Sequence, residues 1–317
     1  MTRIAVIDPA LEVRVHGVRE LRYDAAADAN DDRPAHVRAA SGLAMHHGRL
    51  VVVQDDASFF GVVGGEGVTA MKLPRGSDGR RRFEVALGNK LDKLDLESVV
   101  SVDDELWAFG SGSLPIRDKI CRVLHGVARV QEAAPLYARL REALDGALNI
   151  EGAARVQALG RDELWLFHRG NTGPRDPGPA VLRLRTHDLR AWLDATASMP
   201  ALVDVDGYSL GEVGGVRLGF TDAVADGDRV FYVAAAERSP NAIDDGAASG
   251  SQIGVIDVAS GSVRATMFTG LDGAPVKAEG IALDPARPKR AWIALDPDDP
   301  EAAAPLLDVE LVGPWWW

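Results

Sequence analysis

The stretch LESVVSVDDELWAFG, residues 96–110, reads as a β-hairpin. Two short apolar runs flank the turn at Asp103 and Asp104. Glu97 heads the first run, and Trp107 stands ten residues further on in the second. The phrase recurs. SGLAMHHGRLVVVQDD (41–56) runs ten residues from Ser41 to Val51, and GFTDAVADGDRVFYVAAAE (219–237) runs ten from Thr221 to Phe231. Two further copies are longer, from Glu151 to Trp165 and from Glu279 to Trp292, with VQALGRD and DPARPK as turn insertions. This register makes Thr221 the head of its copy, with Asp222 a near alternative.

The heads are therefore Ser41, Glu97, Glu151, Thr221 and Glu279, spaced by 56, 54, 70 and 58 residues. Each interval has room for two more strands, and four antiparallel strands at this period describe a propeller blade. FFGVVGG and RRRFEVALG are the expected outer strands after the first hairpin. QIGVIDVASG and SVRATMFTG are those after the fourth. The expectation is an all-β chain, a single five-bladed β-propeller domain over residues 1–317, its last blade closed by the N-terminal strands RIAVID and EVRVHGVRELRY. Closure by the chain ends leaves no open edge. A sixth blade in the long 151–220 interval is the alternative, though no sixth head is legible there. APLYARLREALDGA and THDLRAWLDATASM read as short inserted helices, the second with Thr186 as its N-cap.

In a propeller the first strand of each blade lines the axis, so the heads form a ring. Three glutamates converging there either raise one another's pKa or require a cation. An all-oxygen donor set selects a hard cation, calcium before magnesium. A ring holding only water, or a metal that merely ties blades together, is the bland reading of the same residues. The second strand of each hairpin returns to the head's end, which gathers Asp55, Asp56, His168, Arg169, Glu237, Arg238, Asp296 and Asp298 around the mouth. Arg169 and Arg238 can clamp a phosphate or carboxylate, and Asp55 or His168 can serve as general base.

Composition narrows the classes. Net charge of −12 argues against nucleic acid and anionic membrane surfaces as partners; a small anionic molecule is the expected ligand. A single cysteine, Cys121, excludes an intrachain disulfide and thiolate metal sites. No run approaches the length of a membrane span, and MTRIAVIDPALEVRV lacks a signal-peptide core, so the expected location is cytoplasmic.

The five hairpins, ending in KAEGIAL at 277–283, resemble the inner hairpins of the soluble calcium-activated nucleotidase (apyrase) family. More weakly, the chain is similar to gluconolactonase-like and phytase-like propellers. The nucleotidase resemblance implies a five-bladed propeller with axial calcium, and Ser41, Glu97, Glu151, Thr221 and Glu279 as its ligands. Asp55 and Asp56 match an acidic pair that ends the family's first hairpin, and Arg169 falls where the family has basic residues. The function this implies is a calcium-dependent hydrolase acting at the channel mouth on a phosphate ester or anhydride. A non-enzymatic binding module with a structural calcium or a water-filled channel is the alternative.

Overall fold

The structure, a computed structural model, describes residues 2–316 except 66, 172, 174, 175, 239–245, 247, 271 and 272. Strands β1 (Thr2–Ile7) and β2 (Glu12–Glu20) precede the first hairpin. That hairpin, β3 (Ala40–His46) and β4 (Arg49–Gln54), continues outward into β5 (Phe59–Val63) and β6 (Val68–Lys72). The second sheet runs β7 (Leu96–Val102), β8 (Glu105–Gly110), β9 (Lys119–Leu124) and β10 (Val127–Glu132). Helix α1 (Ala134–Leu144) leads to β11 (Ile150–Val156), β12 (Glu163–His168) and β13 (Ala180–Arg185); helix α2 (Thr186–Leu193) then leads to β14 (Leu202–Ser209). A small hairpin, β15 (Glu212–Val213) and β16 (Val216–Arg217), precedes β17 (Gly219–Asp226), β18 (Arg229–Glu237), β19 (Ala248–Asp257) and β20 (Val263–Phe268). The chain ends with β21 (Ala278–Leu283), β22 (Arg290–Leu295) and β23 (Pro305–Val312), to which β2 adds as the outermost strand.

Why the sheets close on themselves follows from where the apolar side chains go. Each sheet is apolar on both faces, so each must be covered twice. Among the buried side chains, Val51 and Phe60 of the first sheet meet Val99 and Leu106 of the second. Trp107 and Phe109 meet Leu164 and Leu182. Phe167 meets Phe220 and Tyr232, and Phe231 and Val255 meet Ile281 and Ile293. Ala282 and Leu306 return to Leu43 and Val52 of the first. The innermost strands β3, β7, β11, β17 and β21 touch in the same cyclic order. The result is a mostly β, propeller-like molecule, with both helices packed in the layer between the second and third sheets.

Three sequence expectations change. RRRFEVALG is an irregular segment with one 3₁₀ turn at Val85–Leu87, and the fourth strand of the first sheet is Val68–Lys72. Arg81 and Arg82 are drawn away to Asp32, whose Oδ2 accepts their backbone N–H groups at 3.2 and 2.9 Å, and Phe83 is buried. Thr186 is the first residue inside α2 rather than its cap; Arg185 occupies the cap position without a side-chain bond. Finally, β2 extends the last sheet but β1 does not. Residues 2–4 pair in parallel with Gly207–Ser209 of β14, and residues 5–7 with Val263–Ala265 of β20. One strand thus joins the outer edges of the third and fourth sheets.

Candidate functional site

All five inner hairpins share one irregularity. The pairing of first and second strand slips between Ala40 and Gly42, Leu96 and Ser98, Ile150 and Gly152, Phe220 and Asp222, and Ala278 and Gly280. The residue left over at each β-bulge is Ser41, Glu97, Glu151, Thr221 or Glu279. A bulge re-aims a side chain and twists its strand, so the heads are set apart from the alternation that follows them. Three places after each head the ladder pairs Ala44 with Val51, Val100 with Trp107, Ala154 with Trp165, Val224 with Phe231 and Ala282 with Trp292.

Immediately after each head comes a small residue or Asp222, and here the strands nearly touch. A Cβ on Gly42 would lie 3.1 Å from the Glu97 carbonyl oxygen, and one on Gly152 would lie 3.0 Å from the Asp222 Cα. Asp222 itself crosses the axis: its Oδ2 accepts from the backbone N–H of Leu43 at 3.1 Å and of Ile281 at 2.9 Å. Burial pushes this carboxyl well above its usual range, against the pull of those donors. The channel is therefore pinched at this level, and the polar heads face one end of it.

Protein cations already reach into the ring. Arg169, buried, donates from Nη1 to Glu151 at 3.3 Å and from Nη2 to Glu237 at 2.6 Å, and lies 3.8 Å from Glu279. Lys277 approaches Glu279 at 3.6 Å, Asp296 at 3.1 Å and Asp298 at 2.8 Å. Asn149 donates to Glu151 at 2.6 Å. Across the mouth, Lys93 binds Asp55 at 2.5 Å and Asp95 at 2.6 Å, and Arg117 binds Asp95 at 2.9 Å. Burial would push Asp95 up, but Lys93 and Arg117 outweigh it and hold the carboxyl below its usual range.

Glu97 has no such cation bound to it among the described residues. Burial, then Asp95, Asp55 and Glu151, hold its carboxyl well above the usual range. Burial does the same for Glu279, against Lys277 and Arg169, and raises Glu151 against the same two cations. Eight carboxylates, Asp55, Asp95, Glu97, Glu151, Glu237, Glu279, Asp296 and Asp298, thus share four cations, Lys93, Arg117, Arg169 and Lys277. Within this excess, Asp55, Asp95 and Glu97 each offer an oxygen within 4.8 Å of the others, a donor set suited to a hard cation. Buried Asp55 Oδ1 and Glu279 Oε1 accept no hydrogen bond from the described residues.

Beside this cluster is a cavity of about 360 Å³ lined by Arg38, Asp55, Asp56, Phe83, Lys93 and Asp298, among others. Asp56 pairs with Arg38 at 2.8 Å. Burial and neighbouring Asp55 nevertheless push its carboxyl up to about 7. Burial likewise raises Asp298 to about 6, against Lys277.

The expected site residues thus separate into groups. Asp55 and Glu97 meet, joined by Asp95. Glu151 and Glu279 meet around Arg169, which is spent on them and is not a free clamp for a phosphate. Ser41 Oγ donates to the Ala39 carbonyl at 3.1 Å and Thr221 Oγ1 to the Ala278 carbonyl at 2.6 Å, so both hydroxyls serve the backbone. His168 is buried away from the cavity, its Nδ1 accepting from the Asn149 N–H at 3.1 Å. Of the residues not foreseen, Asp95, Asn149 and Lys277 stand two places before a head, while Lys93 and Arg117 lie outside that register. Position alternation was the available signal: residues two apart share a face. Gly219 holds that place in the fourth copy, where a Cβ would lie 2.5 Å from the Arg169 carbonyl oxygen. The bare backbone makes room for the arginine.

Residues 36–311 match a family of unknown function, DUF6929. No curated protein matches the sequence. Among solved structures, the chain is similar to Myxococcus xanthus glutaminyl cyclase, with a TM-score of 0.53 and 10% identity over 99% of both chains. It also aligns with the PQQ-bound aldose sugar dehydrogenase of Streptomyces coelicolor, TM-score 0.49 and 12% identity over 96% of this chain and 99% of that one. A third alignment is with the Cps50 (Swd1) β-propeller domain of Myceliophteria thermophila, TM-score 0.36 and 12% identity over 84% and 66%. Identities this low speak to fold alone. Among the described residues no helix is long and apolar enough to cross a membrane.

Proposed function

We propose, for a chain that belongs to the DUF6929 family of unknown function, a metal-assisted hydrolase working at the acidic mouth of a five-bladed propeller. The blade count rests on five bulged hairpins and five shared apolar layers. The observation that carries the functional reading is the cluster of Asp55, Asp95 and Glu97, three converging carboxylates in a mouth where acids outnumber bases. These residues would hold a divalent cation, calcium first, because every donor is a carboxylate oxygen. The chemistry such an ion supplies is polarisation of a phosphoryl or carbonyl oxygen. Arg169 and Lys277 are both engaged by acids on the far side of the ring, whereas Glu97 has no cation bound to it among the described residues. Asp56, with its carboxyl near 7, can hold or accept a proton at neutral pH, a better match to general acid–base work than Asp55 bound to Lys93. Phe83 forms part of the cavity wall. A phosphate ester or anhydride remains the substrate class to test, with the anion held through the metal, since the mouth's own cations are engaged.

The test is turnover of nucleoside diphosphates, a phosphomonoester and a simple lactone, with and without calcium. The expected result is calcium-dependent turnover that falls about 10²-fold or more in Asp56→Asn and loses its calcium dependence in Glu97→Gln. No turnover, with melting unchanged by calcium or chelator, overturns the reading. A second reading is favoured by one observation, the bridging of Glu151, Glu237 and Glu279 by Arg169: an ion-paired ring that only stabilises a binding module. Absence of turnover on any substrate, with melting indifferent to calcium but lowered in Arg169→Met, would select it.

A further inference from the structure

The opposite end of the axis is built differently. Beyond the pinch at Asp222 the inner strands splay into a vestibule of about 770 Å³, within the range of small-molecule sites. Its wall takes Leu43, Val99, Ala153, Ala223 and Leu283, one from each inner strand. Trp316 completes it; the indole is fixed by its Nε1 donating to Asp226 at 2.8 Å and by Phe231, 5.0 Å away between ring centroids. Small and aliphatic side chains with one ring make a wall that offers dispersion and no hydrogen-bond specificity.

The charges stand at the rim. Arg155 is spent on Asp162 at 2.7 Å and Asp103 at 2.6 Å, and Arg290 on Asp308 at 2.6 Å. The acids are engaged as well, Asp226 by Trp316 and Asp284 by Arg287 at 2.7 Å. Lys289 lines the same rim, and no acid pairs with it among the described residues. Its backbone is fixed, at φ 66 and with its carbonyl accepting from the Leu311 N–H at 2.8 Å. Lys289 is therefore the rim's cation without an acid partner among the described residues, while Asp226, bonded to an uncharged indole, keeps its negative charge on the Trp316 side of the wall.

We propose that the vestibule is a second binding site, distinct from the acidic mouth, for an aliphatic monocarboxylate whose chain enters the channel and whose head meets Lys289. Its two requirements are separable. The chain needs the volume, and the carboxylate needs the ammonium.

Calorimetric titration of the full chain with decanoate, below its micelle-forming concentration, tests this against decanol and decyltrimethylammonium. Decanoate should bind one per chain, more tightly than decanol, and the cationic analogue weakest of the three. Lys289→Ala should weaken decanoate about tenfold or more and leave decanol unchanged. Ser101→Trp, at a half-buried wall position, should weaken binding of both by narrowing the chamber, with the melting temperature reporting that the variant is folded. Glu97→Gln, at the other end, should bind decanoate as the parent does. Absence of decanoate binding overturns the proposal, as does binding indifferent to Lys289→Ala or unchanged in folded Ser101→Trp.

Discussion

At the scale of single residues, Arg169 and Glu97 make opposite predictions. Arg169→Met leaves Glu151, Glu237 and Glu279 buried without their shared partner. Breaking a buried pair in this way costs about 3–5 kcal/mol, so the melting temperature should drop sharply even with calcium present. Unchanged melting would show that the guanidinium does not serve the ring. Glu97 is the reverse case. Its carboxyl is held above the usual range, so its ionisation disfavours the folded state. Glu97→Gln should raise the melting temperature of the calcium-free protein at pH 8 and change it little at pH 5. Asp222→Ala exposes a third situation: it removes the acceptor of three buried backbone N–H groups, of Leu43, Ala223 and Ile281, at a cost of about 2–5 kcal/mol, measurable by urea unfolding. Head positions were legible because a repeated spacing marks them. The partner of each head was not, since a sequence does not say that Arg169 folds back over Gly219 while His168, its neighbour, turns into the sheet.

Strands were legible where alternation and turn residues agreed, as in all five inner hairpins, and obscured where a charge went elsewhere. The arginines at 80–82 read as an outer strand until Asp32 is seen to capture two of their backbone N–H groups. Bulges at the heads were invisible because a bulge is a property of pairing between strands. What the sequence does carry is the small residue next to each, where inner strands approach backbone to backbone. Gly152→Val would drive a branched side chain against Asp222, 3.0 Å from its Cα at the Cβ alone, and overpacking of this kind costs about 1–3 kcal/mol. The same change at Gly126, in the outer turn between β9 and β10, meets no atom within 4 Å but holds φ 78, so its cost is backbone strain and should leave calcium response untouched. Comparing calcium-dependent melting in the two variants separates the effects.

For the molecule as a whole, closure and charge act together. Raised carboxyls at the mouth bind protons more readily folded than unfolded, so stability falls as pH rises. With Asp56 near 7 and Asp298 near 6, against an unfolded value of about 3.9, the contribution is complete below about pH 4 and lost as pH rises through 6 and 7. The chelated protein should therefore melt lower at pH 8 than at pH 5, and calcium should recover more at the higher pH. A flat profile in chelator would mean that the carboxylates are compensated by the protein alone. The cyclic order of the sheets was legible from the repeat, but the path of β1 was not, because a parallel strand shared between two edges has no local signature. That path has a consequence for how the protein is made. Residues 2–20 leave the ribosome well before their partners: β1 awaits strands ending at residues 209 and 268, and β2 awaits residues 305–312. At about 5–20 residues per second that segment stays without a mate for tens of seconds, with Ile4, Val6 and Val18 among its exposed apolar side chains even in the finished fold. A nascent chain arrested before residue 305 should therefore be cleaved within its first twenty residues by a protease that spares the released protein there.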